Sequence, residues 1–347
     1  MNKKSMIIGA IVVALVVVSK LGFAPESGAG AIILNLIFIV AGFVMLIKGA
    51  DIFVENASKI AMKFNIPQMV IGLTIVAFGT SLPEAAVSIK AALSGNAGIT
   101  VGNVVGSNIM NVLLILGVSS CVAALIIKKN TLRIEIPFVI LVSILLLALG
   151  VMGDSLSRMD GVIFVLLLAI FMVYLVYSAK NGQADEDEAT VLTEKDTMLK
   201  LLLFVVLGAA SIVVGSDVTV DAASFVAAEF GMTPRLIGLT IVAFGTSLPE
   251  LVTSVTAAKR GKTDIAIGNI VGSNIFNILF VVGVSAIITP IAFENAFIKD
   301  TIVAIAAGVL LLICVFPKKK LSRAGGVTML ACYTAYFVYI LYTNYAS

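Results

Sequence analysis

The sequence predicts an all-α polytopic membrane protein, a ten-helix core of two inverted five-helix repeats plus one extra N-terminal helix. Three observations predict it. Charged residues make up 12% of the 347-residue chain, against about 25% in soluble domains. Apolar runs long enough to cross a hydrocarbon core of ~30 Å recur from end to end. One fourteen-residue segment occurs twice.

The apolar runs lie near 6–22, 33–53, 66–92, 100–127, 134–152, 161–179, 199–217, 236–258, 265–290, 301–316 and 325–343. They are continuous and rich in Leu, Ile, Val and Ala, unlike the alternating strands of about ten residues in a membrane barrel. Residues 1–24 read as a transmembrane or signal-like helix, because Lys3 and Lys4 precede the first run. A retained helix is favoured, since Pro25 follows the best small-residue cleavage position. Cys121, Cys314 and Cys332 lack metal or redox spacing and read as small buried hydrophobes. The chain has no histidine, which excludes imidazole chemistry.

The repeated segment is IGLTIVAFGTSLPE, at 71–84 and again at 237–250, an offset of 166. The offset persists: GNVVGSNIMN at 102–111 meets GNIVGSNIFN at 268–277, and Asp51 meets Asp217. Near the ends LSRMDGV at 156–162 meets LSRAGGV at 321–327, offset by 165. A first repeat therefore covers 32–179 and a second 199–345, joined by an acidic loop at 180–198 that reads as solvated. Five spans per repeat make the second copy enter the bilayer from the opposite side. Charge supports this, since cytoplasmic loops collect Lys and Arg. With the amino terminus inside and the carboxy terminus outside, only Lys20, Lys90, Arg158, Arg235 and Lys299 of the 23 basic residues fall outside. The segment carrying Lys59 and Lys63 reads as an inner loop, and its counterpart with Asp221 and Glu229 as an outer one.

Within each repeat, GTSLPE interrupts a membrane helix with proline, which lacks an amide and clashes with the carbonyl four residues back. Pro83 would free the carbonyl of Gly79, and Pro249 that of Gly245. Non-helical backbone at that depth survives only when buried in protein or lining a polar cavity. Hydroxyls stand beside each break, Thr80 and Ser81 or Thr246 and Ser247, and a carboxylate follows, Glu84 or Glu250. A charged side chain at mid-membrane costs about 2.5–3.5 kcal/mol and by default marks an ion or substrate path. Two such acids at symmetric positions of inverted copies should meet near the midplane, as in transporters built from broken helices. Facing each other they would repel, unless one is protonated or a cation lies between them.

A polar stripe accompanies each break. Asn103, Ser107 and Asn111 are spaced by four, as are Asn269, Ser273 and Asn277, so each trio lines one helix face. Gly102 with Gly106, and Gly268 with Gly272, allow close helix approach, which is by itself a packing signal. Asp51 and Asp217 read as helix-end residues in interfacial or capping roles. Every donor around the acids is oxygen, which suits hard cations: Ca²⁺ takes six to eight oxygens at about 2.3–2.6 Å in forgiving geometry, whereas Mg²⁺ demands a tight octahedron.

At these residues the chain resembles the cation/calcium exchanger superfamily, most closely the prokaryotic sodium/calcium exchangers, over everything from about residue 32 onward. The resemblance implies Ca²⁺ export driven by Na⁺ influx through alternating access, in the inner membrane of a prokaryote. It places Glu84, Glu250, Thr80 and Thr246 at a Ca²⁺ site, with Ser81, Ser247, Ser107, Ser273 and the carbonyls of Ala77 and Ala243 serving Na⁺. Many relatives carry Asp where this chain has Asn277, which matches Asn111 and leaves two acids rather than three. That departure implies no K⁺ requirement and leaves the Na⁺:Ca²⁺ ratio open. The expected partners are inorganic cations and the lipid bilayer, with no nucleic acid, no resident cofactor and no enzymatic activity. A calcium/proton exchanger is the alternative, although the usual histidine-bearing motif of that branch is missing. A passive channel and an intramembrane hydrolase using Ser81 and Glu84 are the remaining readings.

Overall fold

The structure, a computed structural model, describes residues 28–94, 98–181, 196–231 and 243–345. The expected helix at 1–24, nearly all of the acidic loop and the start of the second motif at 237–242 lie outside the described residues. The helices are α1 (Ala29–Lys63), α2 (Gln68–Thr80), α3 (Leu82–Leu93), α4 (Gly98–Val122), α5 (Thr131–Met152) and α6 (Arg158–Asn181). The second copy supplies α7 (Met198–Glu229), α8 (Ala243–Thr246), α9 (Leu248–Lys259), α10 (Thr263–Ile288), α11 (Asn295–Val315) and α12 (Arg323–Tyr345). Among the described residues eight helices are long and apolar enough to cross a membrane, or nine when the bent pair α2 and α3 counts as one span. The span expected at 236–258 is described only from 243, as α8 and α9.

Helices α4 and α10 form the centre, and most of their residues are buried. On the outside, Ile33 and Val40 of α1, Ile170 and Val173 of α6 and Val206 of α7 expose apolar side chains, as a hydrocarbon solvent allows and water does not. Helices α1 and α7 are equivalents and pack along each other through glycines. A methyl group at Gly42 would lie 2.7 Å from the Gly215 carbonyl oxygen, and one at Gly208 would lie 3.0 Å from that of Gly49. Gly42 is equivalent to Gly208 and Gly49 to Gly215. Ascending residues of α1 thus meet descending residues of α7, so the equivalent helices run antiparallel. Ser211 Oγ donates to the Met45 carbonyl at 3.0 Å, and these two positions are themselves equivalent, which puts them on the pseudo-twofold axis.

Four two-residue strands repeat the relation. β1 (Leu125–Ile126) pairs antiparallel with β4 (Lys320–Leu321), and β2 (Ser155–Leu156) with β3 (Ile291–Ala292). Because α5 runs between β1 and β2, the equivalent segments β1 and β3 sit at opposite ends of that helix. Inversion requires this. The turn after α1 and that after α7 also correspond: Asn65 (φ 53°) and Gly231 (φ 84°) occupy the left-handed position that ends many helices.

Three expectations are corrected. Asp51 does not end a helix. At about 50 Å, the 35-residue α1 is longer than the hydrocarbon core. It continues past Asp51 because its charges are paired. The Arg260 guanidinium donates to Asp51 Oδ1 at 2.9 and 3.1 Å and to Glu55 Oε2 at 3.3 Å. Lys59 Nζ lies 3.1 Å from Glu55 and 3.6 Å from Asp196. Lys59 and Lys63 therefore belong to the final turns of α1 rather than to a loop, and Asp217 and Asp221 lie within α7, which Glu229 ends. Nor are the cysteines uniformly buried: Cys121 and Cys314 are half-buried, and Cys332 is exposed on α12.

Packing at the axis predicts that Gly208→Val, whose side chain would crowd the Phe53 amide at 2.9 Å, costs about 1–3 kcal/mol. Unfolding of the purified protein should read it, and an unchanged transition would contradict close α1–α7 packing. Lys262, buried in the turn before α10, is pushed down to about 8 by burial, partly offset by Glu55. Above that pH the folded protein binds fewer protons than the unfolded chain, so stability should rise with pH towards the ordinary lysine range. Lys262→Met should flatten that rise in a thermal-denaturation series across alkaline pH; an unaltered slope would contradict the assignment.

Candidate cation site

The interruption in each GTSLPE segment falls at the serine. Ser81 (φ −84°, ψ 6°) separates α2 from α3, which meet at 51°. Ser247 (φ −91°, ψ 4°) separates α8 from α9. Pro83 and Pro249 then sit in the first turn of a new helix, where a missing amide costs nothing. The break expected at each proline thus falls two residues earlier, at the serine. Glu84 and Glu250 fall in the same first turns, at the helix end that favours negative charge. The carbonyl expected to be freed at Gly245 accepts from Ser216 Oγ at 2.7 Å. In the first copy Ala50 stands where Ser216 stands in the second and has no hydroxyl to offer.

Both glutamates are completely buried, and each is held by the other copy. Ser81 Oγ donates to Glu250 Oε1 at 2.9 Å, and Ser247 Oγ donates to Glu84 Oε1 at 3.3 Å. Ser273 Oγ reaches Glu250 Oε1 at 3.5 Å, and Ser107 Oγ lies 3.3 Å from Ser247 Oγ. Thr80 Oγ1 donates to Asn269 Oδ1 at 3.0 Å and also contacts Glu250. The two carboxylates are within Coulombic reach of each other. The acids, the serines and Thr80 thus converge on one locus between the copies.

The flanking asparagines act in parallel. Asn103 Nδ2 donates to Ser88 Oγ at 3.0 Å and to the Glu84 carbonyl at 3.3 Å; Asn269 Nδ2 donates to Ser254 Oγ at 2.9 Å and to the Glu250 carbonyl at 3.4 Å. Asn111 and Asn277, both fully buried, open the π turns Asn111–Ile115 and Asn277–Val282. The Ala77 carbonyl accepts from the Ser81 amide at 3.0 Å and faces Thr80 Oγ1 at 3.3 Å. Thr246 is half-buried at the end of α8, which Ala243 begins.

Four buried oxygens here accept no hydrogen bond among the described residues: Glu84 Oε2, Glu250 Oε2, Asn111 Oδ1 and Asn277 Oδ1. They form two equivalent pairs. An unsatisfied buried acceptor costs about 1–3 kcal/mol, and more when charged, so four of them point to something that oxygens would bind. Among the described residues no three acidic, cysteine or histidine side chains gather. The donor set is instead two carboxylates with hydroxyl and amide oxygens.

A cavity of 1180 Å³ reaches Asn103 and Ser107 and extends to Lys299, Asp300 and Tyr336, near the β2–β3 end. Gly102 of α4 is exposed and Gly106 half-buried, whereas their equivalents Gly268 and Gly272 are buried, with Gly268 against Gly72 of α2. Toward the β1–β4 end lies the salt bridge between Lys128 Nζ and Asp264, 2.9 Å long. The sequence reading missed Ser88, Ser254, Ser216, Asn108 and Asn274. The duplicated GSN triplet held a signal for the last two.

Inverted copies, broken helices and a buried acidic pair at their interface define a secondary transporter of the inverted-repeat class. A family profile described as sodium/calcium exchanger protein matches residues 34–177 and 200–342. The chain belongs to that family. It is 34% identical over 349 residues to sodium/calcium exchanger MaX1 of Methanosarcina acetivorans, covering 90% of this chain and 99% of that one. Inner membrane protein YrbG of Escherichia coli is 37% identical over 303 residues, covering 84% and 92%. The solved structure of the sodium-calcium exchanger NCX_Mj superimposes with a TM-score of 0.76 at 34% identity, covering 87% of this chain and 97% of that one.

Proposed function

We propose that this protein is an antiporter that exchanges Na⁺ for Ca²⁺ by presenting one midplane set of oxygens alternately to the two sides of the inner membrane. The observation that carries this reading is the pair of buried glutamates, each bonded across the copies and each keeping one oxygen that accepts no hydrogen bond among the described residues. Two carboxylates neutralise one Ca²⁺. Glu84, Glu250, Thr80 and Thr246 serve as Ca²⁺ ligands, and Na⁺ draws on the same two glutamates in turn together with Ser81, Ser247, Ser107, Ser273 and the carbonyls of Ala77 and Ala243, with Asn111 and Asn277 adding amide oxygens. Na⁺ is close to Ca²⁺ in size, so the two compete for shared donors, and competition for one site is a direct route to exchange.

Alternating access is supported by the unequal ends of the molecule. The cavity reaches the site from the β2–β3 end, where Lys299 and Arg158 lie, and this end is outside in the charge-based orientation. Arg260 cross-links the end of α9 to Asp51 and Glu55 of α1 on the other side. The family membership and the structural likeness to a sodium-calcium exchanger support the choice of ions.

Vesicles reconstituted with the protein and loaded with Na⁺ should take up Ca²⁺ only while an outward Na⁺ gradient exists. Uptake driven by a proton gradient alone would mark a proton exchanger, and uptake needing neither gradient a channel. Glu84→Gln or Glu250→Gln should abolish uptake although the protein still inserts; retained exchange in either variant removes these acids from the site. Asn277→Asp, which adds a third acid, should change the cation dependence of uptake, and an identical ion profile counts against the role given to that position.

A further inference from the structure

An asparagine at a cation site must present its oxygen, because the amide nitrogen half a turn away carries two protons that repel the ion. Asn111 and Asn277 do so: their Oδ1 atoms accept no hydrogen bond among the described residues. The groups that fix this choice come from opposite copies. Asn277 Nδ2 donates to Asn108 Oδ1 at 3.2 Å, and Asn111 Nδ2 donates to Asn274 Oδ1 at 2.9 Å. The acceptors are themselves locked. Asn108 Nδ2 donates to the Asn274 carbonyl at 3.2 Å, and Asn274 Nδ2 donates to the Asn108 carbonyl at 3.3 Å.

We propose that Asn108 and Asn274 are positioning residues of the cation site: each reaches across the pseudo-twofold axis and holds the amide of Asn277 or Asn111 with its oxygen turned to the ion. This rests on the cation-binding reading of the site. All four side chains are buried, between 0 and 4% exposed, so no water competes for the nitrogens and the preference for one flip state is strong. With Asn108 Oδ1 removed, the Asn277 nitrogen would lose its partner and the amide would be free to turn its protons inward. A plain interhelical tie needs only the reciprocal bonds between the Asn108 and Asn274 amides and main chains. The additional bonds to Asn111 and Asn277 are what a tie leaves unexplained. Because each orienting residue serves a ligand on the other copy, relative movement of α4 and α10 would act on both amide ligands together.

The test is a set of crossed double-mutant cycles on the full chain, read as equilibrium binding of radioactive Ca²⁺ to purified protein. Asn108→Leu should weaken Ca²⁺ binding about 10- to 100-fold, the range for groups that orient a metal ligand. It should have little further effect in an Asn277→Ala background and its full effect in an Asn111→Ala background. Asn274→Leu should give the opposite pattern. Equal losses in every background would overturn the proposal in favour of a packing tie. Should Asn108→Leu fail to fold, Asn108→Asp keeps an acceptor for Asn277 Nδ2 and should bind Ca²⁺ at least as well as wild type; a loss of tenfold or more in that variant would also overturn it. Glu84→Gln, measured alongside, separates the two layers. Intact Ca²⁺ binding in that variant sinks the cation-site reading itself, whereas lost binding without the crossed pattern sinks only the positioning role.

Discussion

Two carboxylates completely removed from solvent, within reach of each other's charge, cannot both stay ionised in a low-dielectric interior without a compensating cation. Glu84 and Glu250 are in that situation, and much of the surrounding structure follows from it. The helices break immediately before them, so each acid lies in a first helical turn. Each accepts a hydroxyl from the opposite copy, and Glu250 also accepts one from Ser273 of its own. Neither copy alone builds the cluster, and among the described residues each copy leaves a glutamate and an asparagine oxygen that accept no hydrogen bond, which the proposed function fills with an ion.

The inverted duplication is how a single chain brings two such acids together. Antiparallel packing of α1 against α7 through paired glycines sets the axis, and the two strand pairs repeat it at the ends. The asparagine clamp between α4 and α10 repeats it at the centre. Departures from symmetry are as informative as symmetry itself. Arg260 and Lys59 correspond to Ser94 and Phe225, so the two basic residues of the ion-pair network that ties α1 to α9 have no basic counterparts in the other copy. Exposure of Gly102 on α4 and burial of its equivalent Gly268 on α10 among the described residues fall in line with that difference. A protein whose two ends were equally closed would offer an ion no way in.

Much of this was legible in the sequence because duplication doubles every signal. Glu84, Glu250, Ser81 and Ser247 could be identified from a repeated motif at a depth where acids and hydroxyls are expensive, and the structure brings them together. The lengths of α1 and α7 were not legible. A hydropathy reading stops at Asp51, and only the contact with Arg260, 209 residues away, explains why the helix carries on. The restart of the helix at Ser81 and Ser247, two residues before each proline, depends on backbone dihedrals that proline permits but does not dictate. Asn108 and Asn274 were hidden for a related reason. Their neighbours at four-residue spacing formed the visible stripe, whereas the role of these two depends on the copy opposite.

The central claim is that Ca²⁺ and Na⁺ occupy the same oxygens in turn. Calorimetric titration of Ca²⁺ into the purified protein at a series of fixed Na⁺ concentrations tests it most directly. Competition predicts that the apparent Kd for Ca²⁺ rises continuously with Na⁺ and that Ca²⁺ heat disappears at high Na⁺. A Kd indifferent to Na⁺ would contradict a shared site and with it the exchange built on that site.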